Sequence, residues 1–559
     1  MTTTIARKRL KPLLILAVMG LVLWFACTQH YIGNPSLSHQ SGFYSEDFVL
    51  EISAFNADKI YYTLDGSAPS EKSLCYTGPI VISDATDNPN NYSARTDVSA
   101  GFMEDLIINS NGKYDPPGYK VPDFPVDKCT VIRAVAVNSK GDVSKTVTAS
   151  YFVSSEMENY NTKVISLVTE PDNLFGEKEG IYVTGKTFDK YLEKGELGHD
   201  WRFWEANYRN RGSEWEREVN VEFFDENGVL QQSCPAGIRV HGGVSRATLP
   251  RGLNLYARRE YSGYDSFGIP LFSSGFVPEK ITLNSGGNQL ITQFPDYMMS
   301  ERVGHLNFSA MQFEPYVLFI NGEYWGFYWL SEKYDGKYLE HYYNVEPDNA
   351  VIIKNGELEE GNPEDIELYN DMMSFICDND MSLDENFQKA CELVDMESLI
   401  DYYASMMYIA RIEDWPGTNF ALWRSRDISS NPYSDGKWRW MMFDCNSTGM
   451  REDIGLTTHN TLQRLINRKA FFNSLWQNES FREMFEQRIV YIGETCFDGE
   501  DMSRFIDEYM EDMKPMLEKS WDRFYGKNSS AEKEFSDMME SHRAFFYGRT
   551  DAVKGWFQQ

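Results

Sequence analysis

Residues 411–450 constrain the fold more than any other stretch of this chain. Two β-type runs, 419–426 and 437–444, flank a polar segment rich in Asn, Pro, Ser, Asp and Gly, the pattern of a hairpin. With Arg426 opposite Lys437, an antiparallel register sets Asn419 opposite Asp444. The segment Asp414-Trp-Pro-Gly-Thr returns a second carboxylate to the same end. Asp414, Asn419 and Asp444 are therefore expected to converge at the base of one hairpin. One carboxylate beside a hydroxyl, with an amide oxygen and a second carboxylate holding Mg²⁺, is an arrangement that phosphoryl transfer uses. Asp and Asn also close loops at strand ends. On these residues alone, loop closure is the simpler account.

The chain is 559 residues long, more than one ordinary core accommodates, so two or three domains are expected. A formal charge of −31 excludes a nucleic-acid-backbone binder, which needs clustered Lys and Arg. An acidic nucleotide would need a locally basic pocket or metal ions. At the N-terminus, Arg7, Lys8, Arg9 and Lys11 precede a short apolar run, 12–26, that ends at Cys27. This predicts an export signal over 1–27. A lipidated Cys27 and an uncleaved anchor both remain open, and either puts the rest of the chain at the cell surface or outside it. The seven further cysteines show no zinc-type spacing. Export would allow one disulfide, for which Cys75 with Cys129 is the pair to examine. Cys445 is expected to be a buried filler rather than a nucleophile.

Residues 35–153 carry short strand-like runs at 48–52, 59–63, 80–82, 130–137 and 147–152 between turn clusters, a β-sandwich pattern, with 84–125 as a polar insertion. The words YTLDGSAPS, YTGPIVI and TVIRAVAVNSKGDVSKTVTASYFV resemble the chitobiase/β-hexosaminidase C-terminal-like domain. That resemblance implies an immunoglobulin-like accessory sandwich with a spacer or binding role. Carbohydrate contact by this domain is a further reading, tied to no particular residue. Asp65 in the LDGS turn is expected to form the turn rather than hold a cation.

Beyond residue 160, strands alternate with loops. The hairpin around Asn227-Gly228 is followed by strands at 237–241 and 253–258 around Gly242-Gly243-Val244-Ser245-Arg246. A glycine pair before Ser and Arg can wrap backbone N–H groups around phosphate, and many hairpin loops carry Gly-Gly. Arg246, Arg251, Arg258 and Arg259 concentrate positive charge in an acidic protein. Helices are expected at 295–305 and 395–412, and over most of the chain after 450.

The words GIRVHGGVSR, LFINGEYWGFYWLSEKYDGKYLE, EDWPGTNFALWRS and KWRWMMFDCNSTGM resemble, in order and spacing, the spore-coat protein H (CotH) kinase family over 160–500, leaving 501–559 as a helical extension. The resemblance implies a multidomain chain: the sandwich, then an α+β atypical protein-kinase-like domain with a helical C-terminal lobe. It implies ATP and Mg²⁺ or Mn²⁺ as cofactors, and Ser or Thr hydroxyls of exported proteins as acceptors. By motif, Asp414 corresponds to the catalytic aspartate, Asn419, Asp444 and Asn446 to metal-holding groups, and Ser245, Arg246, Arg251 and Glu332 to the nucleotide's surroundings. Two departures stand out. Arg251 occupies the place of a phosphate-binding lysine, and Asn446 that of a second acid. They motivate the alternative of a non-catalytic pseudokinase scaffold or adhesin.

Overall fold

A computed structural model describes residues 32–558 apart from 111–114, 155–159, 161, 196, 287–290, 412–414, 447, 451–455 and 469. The expected signal segment lies outside this range. Among the described residues, no helix is long and apolar enough to cross a membrane.

The N-terminal region is β-rich, as its turn spacing predicts. Strands Gly42–Tyr44, Val147–Val153, Thr130–Val137, Lys59–Thr63 and Leu74–Cys75 form one five-stranded sheet in that order. Phe48–Leu50 pairs with Ile80–Ile82, and Ser36–Leu37 with Ile52–Ser53. The Asp65 carboxylate accepts from the Ser67 N–H and hydroxyl, so it closes its own turn. Cys75 and Cys129 are not bridged: all seven described cysteines are free. Cys75 is exposed on a two-residue edge strand and Cys129 is buried in a separate cluster, so the pair singled out for examination does not form a disulfide.

This region is not a detached spacer. Val126, Cys129, Val131 and Phe152 share one apolar cluster with Val164, Phe224, Val317 and Phe319 of the next domain. The 84–125 insertion, polar in sequence, also docks there. The Glu323 carboxylate accepts from the backbone N–H groups of Asn91, Tyr92 and Ser93 at 2.6, 3.1 and 2.7 Å. Polar composition here serves backbone-directed docking, which hydrophobic periodicity does not reveal.

The second domain is built on a closed barrel of seven strands. Lys163–Val168, Arg217–Phe224, Leu230–Val240, Leu253–Tyr256, Lys280–Asn284, Glu323–Ser331 and Phe313–Ile320 follow one another around it. Parallel pairing of Lys163–Leu167 with Tyr316–Ile320 closes the ring and leaves no open edge. Ile165, Leu167, Ile238, Leu255, Ile281 and Leu330 fill the core.

A five-stranded sheet follows in the order Ser309–Ala310, Arg439–Met442, Ala421–Ser425, Ala350–Lys354, Glu357–Glu360. Its alternating side chains serve two cores. Ala350, Ile352, Ala421, Trp423 and Met441 join the barrel cluster. Val351, Ile353, Leu422, Trp440 and Met442 join the helical cluster. The sheet thus lies between barrel and helices. The helix Met396–Tyr408 begins at Asp395, whose carboxylate caps Ser398 N, and stops short of the expected 412, with Ala410 at φ +52°. Helices Glu479–Thr495, Gly499–Tyr525 and Ala531–Gly555 complete the helical layer expected there.

The hairpin of 411–450 exists, but it is shorter than expected and one residue out of register. Ala421 pairs with Met441, Leu422 with Trp440 and Trp423 with Arg439. A one-residue slip exchanges the two faces. Packing Trp423 and Met441 toward the barrel selects this register, and turn composition alone does not specify it.

Candidate functional site

Three adjacent strands end together at one edge of the central sheet. Lys354 pairs with Ala421, and Ala421 with Met441, so Lys354, Asn419 and Asp444 all lie just at or beyond that end. Asn419 and Asp444 both adopt φ +54°, a left-handed conformation that Asn and Asp tolerate best among residues with a side chain. The ladder has already stopped at both places. Asp414 lies outside the described residues.

The turn carrying Asp444 is held by two side chains. Buried Arg411 donates to the carbonyls of Phe443, at 3.2 Å, and of Asp444. The Asp296 carboxylate accepts from Cys445 N at 2.5 Å and from the Asn446 side-chain amide at 2.8 Å. Cys445 itself is fully buried, and burial pushes its thiol pKa up, in keeping with its expected role as a filler. The clamped backbone presents the Asp444 carboxylate to solvent. Burial and, second, the charge of Asp444 push the Asp296 carboxyl up to about 6, so the two acids stand within electrostatic reach.

Two lysines face this end. Lys354 Nζ sits 4.6 Å from the centre of the Phe443 ring, a cation–π contact. Lys333 is half-buried, and burial and, second, Lys354 bring its pKa down to about 8. Among the described residues neither lysine has an ion pair with a carboxylate. His241, at the entrance to the Gly242-Gly243 loop, feels Lys333, Lys354, Arg246 and Arg211. Burial together with those four cations holds its pKa down to about 3.

The nucleotide-side expectations fare unevenly. Arg251 is fully buried. Its guanidinium lies 4.0 Å from the Tyr208 ring centre and 4.8 Å from that of Tyr182, and donates to the carbonyls of Arg246, Tyr182 and Ala247. It has no exposed surface to offer a phosphate, and the expectation is corrected: Arg251 packs the loop base. Glu332 is likewise enclosed. It accepts from Tyr342 Oη at 2.6 Å and Gln312 N at 2.8 Å, and burial lifts its pKa to about 7. Ser245 lies in the one-turn segment Val244–Arg246, its hydroxyl so near Gly242 that a Cβ there would fall 2.3 Å away. Gly242 also sits at φ +108°, a conformation that residues with a side chain rarely adopt. Arg246 is buried against the Gly242 and Asn210 carbonyls, at 2.7 and 3.0 Å. Arg258 and Arg259 are engaged by Glu216 and Asp265.

The order of the Gly-Gly loop, the enclosed Glu332 and the Asp444 turn along one continuous stretch is what a family comparison can test. Residues 238–553, more than half of the chain, match the family model described as CotH kinase protein. The chain belongs to the CotH kinase protein family. In the N-terminal region, residues 49–151 match the model described as Fn3 associated. A search of curated proteins finds no match to the chain.

The CotH-matched span contains His241, Asp296, Lys333, Lys354, Arg411, Asn419, Asp444 and Asn446 and continues to residue 553, through the helices expected as an extension. Asp296, Lys333, Lys354 and Arg411, four of those residues, were not singled out from the sequence. Asp296 is about 150 residues from its partner Asn446, and nothing local marks it beyond its place in the first turn of the helix Pro295–Val303. Lys354 ends an apolar strand and Lys333 follows another, positions where a lysine is ordinary. Arg411 opens the key stretch but resembles a helix-end cation.

Among the described residues, no three His, Cys, Asp or Glu side chains come together as a metal site. The donor set is instead a pair of carboxylates, Asp444 and Asp296, with the amides of Asn446 and Asn419 nearby in the fold. All-oxygen donors and two mutually repelling acids suit a hard divalent cation such as Mg²⁺ or Mn²⁺.

Proposed function

We propose that this CotH-family chain is an exported, surface-held protein kinase that moves the γ-phosphoryl group of ATP to Ser or Thr hydroxyls of other exported proteins. The observation that carries the reading is the juxtaposition of Lys333 and Lys354, which form no ion pair among the described residues, with the presented carboxylate of Asp444. Cations beside acids that are not neutralising one another suit a metal–polyphosphate ligand, which brings both signs of charge.

In this reading Lys354 and Lys333 receive phosphate oxygens, and Asp444 with Asp296 would hold Mg²⁺ or Mn²⁺. The ion, when bound, supplies neutralisation of charge on the phosphates. Asp414 takes the part of the base that orients the acceptor hydroxyl and accepts its proton. Arg411 and Asp296 fix the Asp444 backbone, so that its carboxylate needs little reorganisation. Asp296 also bears on the departure at Asn446. A carboxylate from a distant helix stands beside the amide, so the site still has a second acid. The departure at Arg251 concerns packing of the loop base.

Calorimetry with ATP and Mg²⁺ tests the reading. Binding that Asp444→Asn weakens, followed by transfer of label to protein, supports a kinase. Binding without transfer leaves the pseudokinase scaffold, and no binding at millimolar ATP removes both nucleotide readings.

A further inference from the structure

A second basic feature lies outside the lysine pair. Between the strands Leu230–Val240 and Leu253–Tyr256 and the segment 207–215 is a pocket of about 170 Å³. Arg211, Arg239, Arg246, Asn210, Asn254 and Trp215 contribute to its wall. No carboxylate is among its lining residues. Glu216, 3.0 Å from Arg239, is the nearby acid, and it is shared with Arg258 at 2.5 Å. Three guanidinium groups thus face one small space with a fraction of one compensating charge, in a chain whose net charge is −31.

Arg239 shares Glu216 with Arg258, whereas among the described residues Arg211 and Arg246 are held in place by contacts that leave their charge unneutralised. Arg246 spends Nε and Nη1 on the carbonyls of Gly242, Asn210 and Tyr208. Arg211 donates to the Gly242 carbonyl at 3.2 Å. Arg239 stacks 4.2 Å from the centre of the Tyr256 ring. Carbonyl and ring contacts orient a guanidinium and leave its charge intact. Burial first, and then the neighbouring charges of Arg211 and Arg209, bring the Arg246 pKa down to about 10. Such crowding costs stability unless a ligand relieves it.

Size narrows the ligand. Drug-sized and nucleoside ligands occupy pockets of roughly 300–1,000 Å³, so this one suits a single oxyanion group. Planar arginine forks match tetrahedral phosphate oxygens in pairs. We propose that the pocket is a subsite for a phosphate monoester dianion carried on a protein side chain, distinct from the place of the ATP phosphates at Lys333 and Lys354. Arg211 and Arg246 both donate to the carbonyl of Gly242, the residue after His241, and the His241 ring lies within electrostatic reach of Lys333 and Lys354, so the two basic groups share one neighbourhood. The acceptor class is then a protein already phosphorylated near its target hydroxyl. That last link rests on the kinase reading, whereas anion binding does not.

Calorimetry on the full chain tests the proposal with three titrants: a phosphoserine peptide, inorganic phosphate and ATP with Mg²⁺. The phosphoserine peptide should bind more tightly than phosphate and should still bind when ATP is saturating. Because Arg211 is exposed, Arg211→Glu should fold normally. It should weaken the peptide by at least about tenfold and leave ATP affinity unchanged, and Arg211→Gln should fall between. Peptide affinity untouched by Arg211→Glu overturns the proposal, as does binding of phosphate alone. Competition between peptide and ATP, with both weakened equally by Arg211→Glu, overturns it too, by making the pocket part of the nucleotide site. If the peptide binds as expected and no phosphoryl transfer occurs, the subsite stands and the kinase reading falls.

Discussion

Lys354 Nζ lies 4.6 Å from the centre of the Phe443 ring, which puts a cation one residue away from Asp444. The contact joins the ends of two strands separated by Ala421–Ser425, and among the described residues no carboxylate pairs with the lysine. Replacing Lys354 by Met keeps an apolar stem against the ring and removes the charge. Calorimetry should show ATP binding weakened by about tenfold, the equivalent of about 1.4 kcal/mol, with little change in folding stability. Unaltered ATP affinity would remove Lys354 from the site.

Arg251 makes the opposite prediction. Its charge is spread over two tyrosine faces and three carbonyls in the barrel core. Arg251→Met leaves those carbonyls without their donor. It should destabilise the fold by about 3 kcal/mol in chemical denaturation, while the folded protein keeps its ATP affinity. A stable variant that no longer binds ATP would return Arg251 to the phosphate.

Glu323 anchors the 84–125 insertion through three backbone N–H groups. Hydrogen bonds to a buried carboxylate are among the stronger ones. Glu323→Ala should cost about 3 kcal/mol and open the insertion to proteolysis well before the barrel. Cleavage at the wild-type rate would mean that docking depends on Tyr92 and Tyr119 packing instead.

Glu222 gives a pH dependence. It is fully buried where the N-terminal region meets the barrel and accepts from Ser41 at 2.6 Å, and burial raises its pKa from 4.5 to about 7. A raised carboxyl makes the folded state bind more protons than the unfolded state between those values. Its stabilisation is therefore present below about 4.5 and is lost as pH rises through about 7, by about 3 kcal/mol in all. Glu222→Gln should remain hydrogen-bonded to Ser41 and lose this slope, so its advantage over wild type grows from pH 4.5 to 8. A difference in melting temperature that does not change with pH would contradict this origin.

Much of the fold was legible because period-2 runs and turn clusters are local. The strands Lys59–Thr63 and Thr130–Val137, and the paired strands Phe313–Ile320 and Glu323–Ser331, stand close to where alternation and turn residues put them. Barrel closure was not legible, because the parallel pairing of Lys163 with Tyr316 joins residues far apart in the chain and leaves no local trace. The hairpin register slipped by one because its specification comes from packing Trp423 and Met441 against the barrel, not from the turn. At the site, Asp444 was legible as a polar residue ending an aromatic strand. Asp296 was not, since its role exists only once a distant helix meets the turn. Arg251 misled for a physical reason: an arginine within a basic loop has the same letters whether its guanidinium faces solvent or two tyrosine rings.

The central claim is that the Asp444 turn serves phosphoryl transfer. The direct measurement is incorporation of label from γ-labelled ATP into protein by the full chain with Mg²⁺ or Mn²⁺, read alongside Asp444→Asn and Asp414→Asn after folding is checked by circular dichroism. Metal-dependent labelling that falls at least about a hundredfold in either variant is the predicted result. Equal labelling by wild type and both variants, or no labelling of any acceptor despite ATP binding, would contradict it.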